Sequence, residues 1–261
     1  MKRMLALLFL IPVLAMAQTS PFDGTWKVDM KKAQLPKKPD VYLLQNGMYS
    51  CKTCAPPYEV KADGNDQPVK GDPYANTVAV KVIDDRNIEM TGKKDGKEVF
   101  SSKWMVSSDG DKMTVDWKYS GNPEGGPITG KDMMKRVAKG PAGANMVSGS
   151  WRDEKTEDMP DSALTFTYKV NGDEMSFSTP TGQSYTAKLG GGEAPYKGDP
   201  GTTSVSLKKI NDHTVEETDM RDGKVISVAT MTVSADGKKM TIDVSDKLHG
   251  TTSRFIADKQ S

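Results

Sequence analysis

The residues whose types and spacing could support chemistry are few in this chain. Its two cysteines, Cys51 and Cys54, form a Cys-x-x-Cys pair, and its two histidines are His213 and His249. Covalent haem attachment would need a histidine directly after the second cysteine, where Ala55 stands. A thioredoxin-like pair would need a helix that begins at the first cysteine, and the Ala-Pro-Pro run that follows disfavours one. Zinc would need about two further ligands, and neither histidine is near in the sequence.

Residues 1–17 have the pattern of a secretory signal peptide. Lys2 and Arg3 precede an apolar stretch, and small residues at Ala15 and Ala17 match the site that a signal peptidase cleaves. We therefore expect cleavage after Ala17 and export, to the periplasm or as a secreted protein. An oxidising compartment favours a local disulfide between the two cysteines. The alternatives are a free or redox-active pair, and metal binding or an intermolecular bond.

The charge balance argues against two classes of partner. The chain has 36 Lys and Arg against 35 Asp and Glu, and the signal peptide removes two of the basic residues. This balance provides no basic footprint for nucleic acid or for an anionic membrane surface. The apolar part of the signal is short, so we expect no integral membrane segment after cleavage. Nothing in the sequence indicates a cofactor or a metal ion.

The mature chain is a tandem duplication. Residues 71–118 align without a gap with residues 198–245, at an offset of 127 residues. A unit of about 110 to 120 residues that occurs twice indicates duplicated domains, because solenoid repeats are shorter. We predict a first repeat over 18–139, a Gly/Ala/Pro linker over 140–148 and a second repeat over 149–261.

Strand and turn patterns fill both repeats. Asp-Gly and Asn-Gly steps punctuate them, and apolar residues alternate with polar ones between these steps. This pattern is typical of antiparallel sheets with one buried face. We predict an all-β protein with two tandem up-and-down antiparallel barrels of eight or nine strands each, since closure removes exposed edges. At the offset of 127, Cys51 and Cys54 fall on Ser178 and Thr181, at a hairpin tip.

A Gly-x-Trp triplet begins each repeat, in PFDGTWKVD and VSGSWRDE. It resembles the start of the first strand in lipocalin-like (calycin) β-barrels, and the chain also resembles tandem lipocalin-like proteins exported by bacteria. In that superfamily the Trp closes one end of the barrel, and a basic residue of the last strand packs over it. The resemblance implies that Trp26 pairs with Arg136 and that Trp151 pairs with Arg254. It implies no activity.

Ligand-binding residues are predicted where the repeats differ. Trp104 and Trp117 correspond to Met231 and Val244 in the second repeat, so they either pack in the core or line a pocket that only the first repeat has. Met113 lies on the same face of its strand as Trp117. The Gly/Pro-rich loop 119–130 is also longer in the first repeat, which is typical of a gate or a contact surface.

Three functions fit these observations. The first is an exported, non-catalytic protein that holds a small, partly apolar ligand in the first barrel. The second is an envelope or surface module with filled barrels that binds a protein partner, which agrees with the low aromatic content of 7%. The third is an enzyme on a calycin scaffold. We predict no catalytic residues, because both histidines are expected in turns and no nucleophile stands near them.

Overall fold

The computed structural model describes residues 20–261, so the predicted signal peptide lies outside the described residues. The protein is all-β and contains two ten-stranded antiparallel sheets, each curled into a nearly closed barrel. This confirms the predicted all-β fold with two antiparallel barrels, and each sheet has ten strands rather than eight or nine because the two-residue strands at 67–68 and 194–195 add to the count. Within residues 20–261, no helix has the length and apolar character that crossing a bilayer requires.

The strands follow one another through short turns. In chain order they are β1 (Gly24–Val28), β2 (Asp40–Gln45), β3 (Met48–Cys51), β4 (Tyr58–Lys61), β5 (Gln67–Pro68), β6 (Thr77–Val82), β7 (Asn87–Lys94), β8 (Lys97–Val106), β9 (Lys112–Tyr119), β10 (Ile128–Lys139), β11 (Gly149–Glu157), β12 (Thr165–Asn171), β13 (Glu174–Ser178), β14 (Ser184–Lys188), β15 (Ala194–Pro195), β16 (Ser204–Asn211), β17 (Thr214–Arg221), β18 (Lys224–Val233), β19 (Lys239–Asp246) and β20 (Thr251–Lys259). A 3-10 turn (Met30–Lys32) and the one-turn helix α1 (Asp161–Leu164) complete the described elements. Asn46-Gly47 and Asp95-Gly96 have positive φ at both residues, as tight two-residue hairpin turns require.

The sheet order divides the chain at positions other than the predicted boundaries. The first barrel runs β4-β3-β2-β11-β10-β9-β8-β7-β6-β5, and the second runs β14-β13-β12-β1-β20-β19-β18-β17-β16-β15. Strand β1, from the predicted repeat 18–139, therefore completes the second barrel, and β11 completes the first. The segment 140–148 is a hairpin loop between β10 and β11 within one barrel. The chain crosses between barrels twice, after β1 and after β11.

Local pairing explains this exchange. Strand β11 follows β10 through a short loop and pairs with it antiparallel from Lys139 and Gly149 onward. A neighbour in sequence reaches its partner at a small cost in chain entropy. That pairing occupies the position beside β10, so β1 fills the equivalent gap between β12 and β20.

The two Gly-x-Trp tryptophans seal one end of each barrel. Trp26 and Trp151 are fully buried, and each indole N–H donates to the carbonyl four residues earlier, at 2.9 Å to Phe22 and 2.8 Å to Val147. A cation lies over each ring, as the resemblance implied, but the partners differ. The guanidinium of Arg136 lies 3.9 Å from the Trp151 ring centre, so it does not pair with Trp26.

The second barrel uses a lysine in the same role. The ammonium of Lys259 lies 5.1 Å from the Trp26 ring centre and donates to the carbonyl of Pro21 at 3.3 Å. Arg254, which was expected over Trp151, instead lies on the outer face and forms an ion pair with Asp243 at 2.5 Å. The register of β20 is the reason, because it places Lys259 opposite Trp26.

The cysteines form the predicted disulfide at the hairpin tip between β3 and β4. Cys51 is buried and is paired with Tyr42 on one side and Tyr58 on the other. In the second barrel Phe177 occupies that place, between Tyr168 and Tyr185. The counterpart of Cys51 is therefore Phe177 rather than Ser178, because the paired Tyr58 follows Cys51 by seven positions whereas the paired Tyr185 follows Phe177 by eight.

Replacing each sealing tryptophan should loosen the barrel that contains it. Trp26→Ala should cost about 3–5 kcal/mol and raise amide hydrogen exchange at least tenfold in 165–171 and 251–259, the strands that flank β1. Trp151→Ala is the matched control, and it should raise amide hydrogen exchange in 40–45 and 128–139, the strands that flank β11, instead. If Trp26→Ala raised hydrogen exchange mainly in 128–139, the assignment of β1 to the second barrel would be wrong.

Candidate functional site

Burial falls along the strands of the first barrel from its sealed end to its other end. On β9, Met113 is 1% exposed, Val115 is 8% exposed and Trp117 is half-buried. Met113 therefore packs in the core near the sealed end of the barrel, whereas Trp117 lies at the open end. The side chains at that end define the acidic mouth, formed by Asp40, Asp132, Asp153, Tyr42 and Trp117.

Three neighbouring strands supply the carboxylates of the acidic mouth. Asp40 is paired across the sheet with Trp151, and Asp153 is paired with Met134 two residues further along β11. Asp132 precedes Met134 by two residues on β10 and therefore points to the same side of the sheet. All three carboxylates thus extend the inward rows that begin with the buried core residues.

Burial dominates the electrostatics of the mouth. Burial, followed by the negative charges of Asp132 and Asp40, raises the pKa of Asp153 to about 6. Burial also raises the pKa of Asp132, and hydrogen bonds from the hydroxyl of Thr156, at 2.7 Å, and from Trp117 partly oppose this. Within residues 20–261, none of the three carboxylates forms a salt bridge. The mouth therefore holds negative charge without an adjacent cation.

Aromatic rings form the wall behind these carboxylates. The rings of Tyr42 and Trp104 meet edge to face with centres 4.8 Å apart, and the indole N–H of Trp104 donates to the hydroxyl of Ser102 at 2.8 Å. Burial, followed by the charges of Asp40 and Asp153, raises the pKa of Tyr42 well above its usual value. Of the predicted ligand-binding residues, Trp117 thus reaches the mouth and Trp104 lies behind it.

Gly130 allows Trp117 to lie across the neighbouring strand. The two residues are paired between β9 and β10, and a Cβ added to Gly130 would come within 2.3 Å of the indole ring. Any larger residue would push the ring away from Asp132 on the same strand. A glycine opposite a tryptophan is therefore a sequence signal for this part of the site.

The same positions are apolar in the second barrel. Matching the strand registers of the two barrels places Phe166 at the position of Asp40, Phe255 at that of Asp132 and Val28 at that of Asp153. The acidic mouth is therefore a property of the first barrel. Sequence reasoning missed it because β11 was assigned to the other barrel, which separated Asp153 from Asp132.

The second barrel carries its own acids on the opposite wall. Glu217 and Asp219 replace Met90 and Gly92 of the first barrel on inward positions. Glu217 accepts a hydrogen bond from the hydroxyl of Tyr185, whereas Oδ1 of Asp219 is buried and has no hydrogen-bond partner within residues 20–261. Burial raises the pKa of both carboxyl groups, and the charge of Asp219 adds to the effect on Glu217.

The two histidines and the 119–130 loop, the other predicted features, lie at turns and at a contact between the barrels. His213 and His249 lie at turns, where the ring of His249 contacts Asp246 at 2.6 Å. The 119–130 loop does not stand free, since the N–H of Glu124 donates to the carbonyl of Thr181 in the second barrel at 3.3 Å. Residues 20–261 contain no group of three or more His, Cys, Asp or Glu arranged to hold a metal ion.

Comparison of the chain with protein-family models, with curated proteins and with solved structures gives no significant match. The functional argument therefore rests on the geometry of the two barrels.

Neutralising the buried acid of the second barrel should stabilise the protein at high pH. A carboxyl group whose pKa is raised by folding favours the folded state at low pH, and that advantage is lost as pH rises above the ordinary carboxyl range. Glu217→Gln should therefore match the wild type in thermal unfolding at pH 4 and exceed its Tm by at least about 4 °C at pH 9. Glu216→Gln, on the outer face of β17, is the control, and its Tm should equal that of the wild type at both pH values. A Glu217→Gln variant that is less stable at pH 9 would contradict the account.

Proposed function

We propose that this is an exported, non-catalytic, lipocalin-like binding protein that takes a small, partly apolar and positively charged ligand at the acidic mouth of the first barrel. Export, to the periplasm or as a secreted protein, is part of the proposal and rests on the sequence of residues 1–17. The observation that carries the proposal is the pairing of unneutralised, half-buried carboxylates with aromatic rings at one barrel end.

The chemistry of the mouth selects the ligand's charge. Half-buried carboxylates are costly when no cation neutralises them, and a ligand ammonium would supply that cation to Asp132 and Asp153. The faces of Trp117 and Tyr42 would add a cation–π contribution of about 0.5–2 kcal/mol. An amine attached to an aromatic or aliphatic group therefore fits the site better than a fatty acid, whose carboxylate would be repelled.

The filled barrel core limits the ligand's size. Leu44, Tyr49, Met113 and Trp151 are all buried in one continuous cluster below the mouth. A ligand would accordingly sit at the barrel end rather than deep inside it. The same filled core favours the second candidate, a module that binds an envelope protein, with the mouth as part of its contact surface.

Titration of tryptophan fluorescence tests the proposal. Phenethylamine should bind at pH 7.5 and its neutral analogue 2-phenylethanol should bind at least tenfold more weakly. Affinity for the amine should fall as pH drops below about 6, because Asp153 then takes up a proton. Asp153→Asn should lower the affinity about tenfold, which corresponds to about 1.4 kcal/mol.

Glu89→Gln is the matched control. Its carboxylate lies on the outer face of the first barrel, 3.6 Å from Lys103, so amine binding should be unchanged. Equal binding of the amine and the alcohol, or an Asp153→Asn variant that binds like the wild type, would contradict the proposed ligand class. Turnover of the ligand in the same titration would favour the alternative of an enzyme on this scaffold.

A further inference from the structure

A second hollow, of about 620 Å³, lies where the disulfide loop of the first barrel faces the second barrel. Its lining includes four cationic side chains, Lys38, Lys52, Lys70 and Arg221, and no Asp or Glu. These four residues define the basic pocket. Pro56 and Leu248 give it a partly apolar wall.

Four separate segments bring these cations together. Lys38 lies on the first crossing between the barrels, Lys52 directly follows Cys51, Lys70 follows β5, and Arg221 ends β17. The Lys38 ammonium donates to the carbonyl of His249 at 2.5 Å, which fixes the crossing segment against the second barrel. The pocket thus exists only when both barrels are folded and in contact.

The cations of the basic pocket are not neutralised by the protein. Within residues 20–261, none of the four forms a salt bridge. The carboxylates nearby are already engaged. Asp199 accepts a hydrogen bond from the hydroxyl of Tyr74 at 2.9 Å, Asp72 accepts the backbone N–H of Tyr74 at 2.7 Å, and Asp246 accepts the backbone N–H of Leu248 at 2.8 Å. The lining of the basic pocket therefore carries four cationic side chains and no carboxylate that forms an ion pair with them.

The disulfide loop explains why only the first barrel has this opening. In the second barrel, Ser184 and Lys197 exchange two backbone hydrogen bonds of 3.0 and 2.8 Å, which close the seam of the barrel beside β14. At the offset of 127 residues their counterparts are Pro57 and Lys70. Proline has no N–H to donate, and no backbone hydrogen bond joins Pro57 to Lys70 in the described chain. The seam stays open there, and the Cys51–Cys54 bond holds the loop beside it.

We propose that the basic pocket binds a phosphate-bearing small molecule. A phosphate accepts hydrogen bonds from a planar guanidinium and from several ammonium groups together, and Arg221 is the half-buried member that would anchor it. The partly apolar wall would contact the organic part of a phosphate ester. This site adjoins the acidic mouth, since Thr53 in its lining donates a hydrogen bond to Asp40 at 2.9 Å, but it selects the opposite ligand charge and does not depend on the function proposed for the mouth.

Calorimetric titration of the full mature protein with inorganic phosphate and with phenyl phosphate tests the proposal. Both should bind saturably with one site, and phenyl phosphate should bind more tightly. Arg221→Gln and Lys70→Gln should each weaken binding at least fivefold. Lys197→Gln is the matched control, since it changes the counterpart of Lys70 in the closed seam, and it should leave binding unchanged. Hydrogen exchange of 128–139 in the first barrel and of 251–259 in the second will verify that the variants remain folded.

One further measurement, with lipid vesicles, distinguishes the possible sources of the phosphate. Tighter binding to vesicles that contain phosphatidic acid than to phenyl phosphate would identify a lipid headgroup as the natural source. Binding of phenyl phosphate in solution would identify a soluble ester, and both results support the phosphate chemistry. The proposal is overturned if no saturable phosphate binding occurs at concentrations up to about 10 mM, or if Lys197→Gln weakens binding as much as Lys70→Gln does. Amine binding at the acidic mouth is unaffected by either outcome.

Discussion

The architecture depends on the pairing of β1 with β12 and β20. This pairing places the first strand of the described residues beside the last one, so that both belong to one barrel. The sealing of that barrel by Trp26 and Lys259 follows from it. The two crossings between barrels also follow, because β1 lies in the second barrel while β2 begins the first. Lys38, on the first crossing, contacts the second barrel at His249 and lines the basic pocket between the two barrels.

Much of the secondary structure could be predicted from the sequence, because it is local. Alternation of apolar and polar residues and the Asp-Gly and Asn-Gly turns predict antiparallel strands joined by tight turns in both repeats, as the structure has them. The barrel that each Gly-x-Trp strand joins could not be predicted, since GTW and GSW have the same pattern and either could fill either gap. The choice is made by the pairing of β11 with β10, which leaves β1 to pair with the distant strands β12 and β20. The cations over Trp26 and Trp151 were assigned to the wrong partners for the same reason.

The duplicated fold has diverged by exchanging acids for apolar residues inside the two barrels. Asp40, Asp132 and Asp153 occur where the second barrel has apolar side chains, and Glu217 and Asp219 occur where the first barrel has Met90 and Gly92. A single acid in an alternating strand resembles an outer-face residue, so its inward orientation is visible only from the register. Trp117 could be singled out from the sequence because the two repeats differ there. Cys51 of the disulfide occupies a core position of the first barrel, and Phe177 occupies the same position in the second barrel.

The central claim, that β1 closes the second barrel, is tested most directly by cross-strand disulfides. Thr25 and Thr167 are paired between β1 and β12, with their hydroxyl oxygens 2.9 Å apart. The Thr25→Cys/Thr167→Cys variant should therefore oxidise to a disulfide detectable by mass spectrometry of a proteolytic digest. If β1 instead completed the first barrel, Thr25 would take the place of Ser150 opposite Val41. A disulfide in Thr25→Cys/Val41→Cys, and none in the first variant, would contradict the account.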